Sequence, residues 1–124
     1  MEGSGAAFES DYETARRVFA EALRIFHAAG DLSAITLLLS DFALVSMHDG
    51  DVARAVRLTG ASDALQERSG ADLARTTIAF VQAQEMGVEY PTDADRERHQ
   101  SEYAAGRLMD TDAAVAYALE RPGG

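Results

Sequence analysis

The sequence predicts an all-α fold of stacked antiparallel helix pairs, five or six helices in all, and three observations carry that expectation. Apolar residues recur at three-and-four spacing in nearly every stretch between turn signals. No segment alternates with period two for long enough to form a strand. The turn signals also echo one another: Ser10-Asp11-Tyr12-Glu13-Thr14-Ala15 returns as Gly50-Asp51-Val52-Ala53-Arg54-Ala55, and Ala29-Gly30 returns as Ser69-Gly70, each 40 residues on. A period of this size suits helix pairs that bury their apolar faces only against a neighbouring pair.

The Gly-rich start predicts a flexible N-terminus over 1–9, and a single helical-repeat domain is expected over 10–120. From Tyr12, the positions Ala15, Val18, Phe19, Ala22, Phe26 and Ala29 follow one helix face up to Gly30. Asp31 or Ser33 can cap a second helix running to about His48 and stopped by Asp49-Gly50. That helix carries one stripe of Ile35, Leu38, Leu39, Phe42 and Val45 and another of Leu37, Leu44 and Met47, so it is apolar over most of its circumference and belongs at the centre of the core. A third helix follows Asp51, using Val52, Ala55, Val56, Leu58 and Leu65 before Gly70. A fourth carries Leu73, Ile78, Phe80 and Val81 and ends near Gly87.

Pro91 sets a boundary, and Thr92-Asp93-Ala94-Asp95 places acidic residues in the first turn of a fifth helix, where the helix dipole favours them. That helix runs to about Leu108. Asp110 or Thr111 can cap a last short helix holding Ala114, Val115, Ala118 and Leu119, and residues 121–124 are expected to fray.

Composition narrows the function classes. With 124 residues and 47% hydrophobic content the chain supports one compact core. Without Cys there is no disulfide, thiolate catalysis or Cys-ligated zinc. A formal charge of −10, with no Lys among the basic residues, repels phosphate backbones, so direct nucleic-acid binding is not expected. The longest apolar run is broken by Ser40 and Asp41 and is too short to span a bilayer, and no secretory leader is visible, which makes a cytoplasmic acidic protein the expectation.

The segment Asp11-Tyr12-Glu13-Thr14-Ala15, with Phe19, Ala22 and Leu23 following, resembles the second helix of a tetratricopeptide repeat. Phe42-Ala43 with Gly50-Asp51 and Ala55 resembles the next repeat's first helix, turn and second-helix start. The resemblance covers roughly residues 10–86. The period is longer than the standard repeat of about 34, and Thr59 and Ser62 stand where an aromatic and a small residue recur. The longer period and the Ala28-Ala29-Gly30-Asp31 turn are similar to the C-terminal repeat regions of actinobacterial ATPase-type transcriptional regulators. The resemblance implies a protein-protein interaction or scaffold module, the partner-sensing part of a regulator. It places the groove on Leu37, Ser40, Leu44, Met47 and His48, apolar with a polar edge, suited to a protein or peptide partner unless the array or a second copy fills it.

If Tyr12 opens the second helix of a pair, the first unit is half a repeat. The face carrying Tyr12 and Phe19 then needs cover from the C-terminal helix, another subunit or upstream sequence, and a two-fold homodimer is the simplest expectation. Candidates for chemistry are few. His48-Asp49-Gly50-Asp51, with His27 and Asp31 near in sequence, could be read as a metal site, but it matches no metal-ligand spacing and reads more simply as a helix stop followed by a cap. No catalytic residue, metal or cofactor is expected. The alternative is a small-molecule sensor with a pocket between helices, anchored by Tyr90, Tyr103 or His48.

Overall fold

The computed structural model describes residues 3–69, 81, 83–85 and 87–120, with side chains from Tyr12 onward. Among these residues the chain is all-helical, without strands. The helices are α1 (Gly3–Ala29), α2 (Leu32–His48), α3 (Val52–Ser69), α4 (Asp93–Arg98), α5 (Gln100–Arg107) and α6 (Thr111–Leu119). The expected fourth helix falls mostly outside the described residues, Leu73, Ile78 and Phe80 among them, as do Gly70 and 121–124. Val81 and residues 83–85 are helical, and the chain turns at Gly87.

The first two helix stops share one hydrogen-bond pattern. At the end of α1, Gly30 N–H donates to His27 O and Asp31 N–H to Phe26 O; at the end of α2, Gly50 N–H donates to Met47 O and Asp51 N–H to Ser46 O. Both glycines are left-handed, with φ of 71° and 80°, the conformation this C-terminal motif requires and side chains resist. The next helix is capped at once: Asp31 Oδ1 accepts from Ala34 N–H, and Asp51 Oδ1 accepts from Arg54 N–H. Such tight turns fold the helices back on themselves. Tyr12 meets His48 and Phe19 meets Phe42, so α1 and α2 run antiparallel.

The echo between Asp11 and Asp51 does not extend to conformation. Asp51 follows a left-handed glycine and caps α3, whereas Asp11 lies inside α1, which is unbroken from Gly3. Ser10 stands where Gly50 stands in the second copy and gives no left-handed stop, and Ala6-Ala7-Phe8-Glu9 contains no residue that breaks a helix. The stretch 1–9, expected to be flexible, is therefore helical backbone from Gly3 onward.

Further along, Thr92 and Asp95 form a reciprocal capping box that starts α4. The single helix expected to follow is interrupted at His99, with φ −117° and ψ 40°. Its N–H still donates to Asp95 O and its carbonyl still accepts from Tyr103 N–H, so the backbone kinks without ending. The kink sends α5 across α3 at a crossing made by two glycines. A Cβ on Gly60 would lie 2.4 Å from Tyr103 O, and one on Gly106 would lie 2.0 Å from Arg57 O. Around the crossing, Arg57 Nε donates to Glu102 (2.7 Å), the Tyr103 hydroxyl donates to Asp63 (2.7 Å), and Arg107 grips Glu67 through both of its Nη atoms.

The core lies between α1, α2, α3 and α6, around Leu23, Ile35, Leu39, Phe42, Leu58, Leu65 and Val115. The helix α2 is its centre, as its apolar circumference predicts, with an unbroken buried run from Leu38 to Ser46. Its hydroxyls are satisfied: Ser46 Oγ donates to Phe42 O, and Ser40 pairs with Ser62 of α3 at 3.0 Å. Asp110 caps α6, whose Ala114, Val115 and Ala118 close the core.

Candidate functional site

The five positions read as a groove do not line one open surface. Leu44 is fully buried, and Ser40 is turned into the α2–α3 contact. Met47 packs against the core, Leu37 is half-buried, and His48 stacks on Tyr12 with ring centroids 3.5 Å apart. A helix apolar on nearly every side is covered on most of them. Tyr12 and Phe19, expected to face a missing partner, turn inward onto α2 against His48 and Phe42. Burial, and then the nearby Asp49 charge, push the Tyr12 hydroxyl above the usual tyrosine range.

The anchors proposed for a sensor pocket are scattered. Tyr90 borders a depression beside Ala83, Gln84 and Val88, Tyr103 is held by Asp63, and His48 lies under Tyr12. The polar groups of the 48–51 turn are committed to structure: Asp49 pairs with Arg16 and with His48, and Asp51 caps α3. Among the described residues no three His, Asp or Glu side chains gather as a metal site.

A cavity between helices does exist, at a place the sequence did not indicate. A cleft of about 560 Å³ opens where α1, the C-terminal half of α2 and the end of α6 meet. Its floor is apolar, from Ala20, Phe42, Val45 and Leu119, and four arginines line it: Arg16, Arg17, Arg24 and Arg54. Arg54 is the most constrained. Only 8% exposed, it donates from Nη2 to the carbonyls of Tyr117, Ala118 and Glu120 at 3.0–3.1 Å, and its guanidinium lies 4.6 Å from the centre of the Tyr117 ring. It thereby caps the C-terminus of α6, where the helix dipole favours a cation. The signal was absent from the sequence because the partners lie 63 to 66 residues away.

Asp41 was also missed. It is 7% exposed on the central helix, and among the described residues its carboxyl makes no hydrogen bond or ion pair. Burial holds it up at about 7. The available signal was a lone carboxylate inside the apolar run Ile35–Val45, read only as a break in that run.

No protein-family model matches the chain, and no curated protein or solved structure matches it. No described helix is long and apolar enough to cross a membrane.

Proposed function

We propose that the chain is a non-enzymatic protein-interaction module of tetratricopeptide-like kind, the partner-sensing part of a regulator, and that it forms a homodimer through the outer face of α1. One observation carries this reading. Ala15, Val18, Ala22, Ile25 and Ala29 recur at three-and-four spacing along α1, and the large members are uncovered, Val18 at 57% and Ile25 at 59% exposed. Two exposed β-branched side chains a double turn apart, with Ala22 between them and Ala15 and Ala29 on either side, make a seam suited to another helix, and a two-fold partner presents the same seam. These residues replace Tyr12 and Phe19 as the proposed self-association surface.

The net charge of −10 supports a protein partner over nucleic acid or an anionic membrane surface, and a cytoplasmic location belongs to the same proposal. The non-enzymatic reading is supported by the use of Asp49, Asp51 and His48 in ion pairing, capping and stacking. Size-exclusion chromatography with light scattering at micromolar concentration tests the dimer. The expected mass is twice that of the chain, falling to a monomer in Val18→Glu/Ile25→Glu with helical circular dichroism unchanged. A wild-type monomer throughout the range sinks the dimer.

A second reading, a small-molecule-sensing helical domain with a pocket between helices, is favoured by the arginine-lined cleft.

A further inference from the structure

We infer that the cleft between α1, α2 and α6 is a binding site for a small organic monocarboxylate with an apolar body. The inference rests on the sensor reading and adds the chemical class of the ligand.

The charges of the lining decide the class. Arg16 is spent on Glu13 and Asp49, and Asp51 is occupied as the cap of α3. Arg17 and Arg24, a double turn apart on α1, make no hydrogen bond or ion pair among the described residues. Arg54 carries a buried charge answered by three carbonyl dipoles and a ring face, with no carboxylate at ion-pair distance among the described residues. Arg17, Arg24 and Arg54 are thus cations without an acid partner among the described residues, while the lining as a whole is neutral, its four arginines matched by Glu21, Asp49, Asp51 and Glu120. A single carboxylate can draw on the three arginines with the least added negative charge. A phosphate dianion would bring twice that charge against Glu21 and Glu120.

The floor decides the rest. Ala20, Phe42, Val45 and Leu119 offer an apolar bed, and a volume near 560 Å³ suits a small organic molecule. Guanidinium groups favour a planar carboxylate through charge-assisted hydrogen bonds, and Arg54 is held in place before any ligand arrives.

The test uses the whole chain with phenylacetate and hexanoate, their neutral amides phenylacetamide and hexanamide, and inorganic phosphate at matched ionic strength. Thermal shift and calorimetric titration are the readouts, and amide chemical shifts at Ala20, Val45, Ser46 and Ala118 locate the binding. The expected result is saturable stabilisation by at least one carboxylate and none by its amide or by phosphate. Arg17→Gln/Arg24→Gln, changed at exposed positions, should keep the unliganded melting temperature and weaken binding by about tenfold or more. Amides that bind as well as the carboxylates would remove the monocarboxylate and leave a sensor. Silence from every probe, with no shift at the cleft amides, would remove both. Equal response to phosphate, or undiminished binding in the double variant, would also overturn the inference.

Discussion

Asp41 and Arg54 are two buried charged residues with opposite accommodation. Arg54 finds carbonyls and a ring face; Asp41 finds no partner among the described residues, and burial raises its carboxyl to about 7. The folded state then holds a proton that the unfolded chain releases near the ordinary aspartate value. Stability therefore falls as pH rises from about 4 towards 7 and levels off above. Asp41→Asn should stabilise the protein by roughly 3 kcal/mol at pH 8 and by almost nothing at pH 4, which chemical denaturation at the two values measures. Arg54→Gln removes charged donors from three carbonyls and should cost about 2–3 kcal/mol. The loss should show as faster amide exchange in α6 at Val115 and Ala118 before the rest of the chain. Unchanged exchange there would refute the capping role.

At the scale of elements, the crossing of α3 and α5 brings the two backbones into close contact. Both helices have glycine where they meet, and a methyl group on either would overlap the opposite backbone, which cannot step aside as a side chain can. Gly60→Ala and Gly106→Ala should each destabilise by about 3 kcal/mol or more, despite the better helix propensity of alanine. Stability equal to wild type in either variant would mean that the crossing is looser than this geometry. The helix boundaries themselves were mostly legible. Gly30 and Gly50 after the last periodic residue, Asp31 and Asp110 before the first, and the Thr92–Asp95 box all act where local chemistry places them. The errors came where a local signal was borrowed from elsewhere in the chain, as with Asp11 read through its likeness to Asp51.

At the scale of the whole molecule, 21 acidic residues face 11 basic ones, and several of the arginines are drawn into the α3–α5 contact and the cleft. The remaining surface repels itself. Raising salt from low to physiological concentration should stabilise the fold by about 1 kcal/mol, or about 4 °C, because screening of the acidic excess outweighs the weakening of exposed ion pairs. A melting temperature that falls on adding salt would show that the ion pairs dominate instead.

The sequence by itself determined that the chain is helical, where most helices stop and start, and that α2 is the centre of the core. These follow from periodicity, left-handed glycines and caps, all of which act within a few residues. The tertiary structure alone decided which faces are covered. It turned Ser40 onto Ser62, folded Tyr12 and Phe19 inward, left Val18 and Ile25 outside, and brought Arg54 beneath the end of α6 to form the inner wall of a cleft. Each of these pairs residues on different helices, and helical periodicity sets the side from which a residue projects without setting what will meet it there.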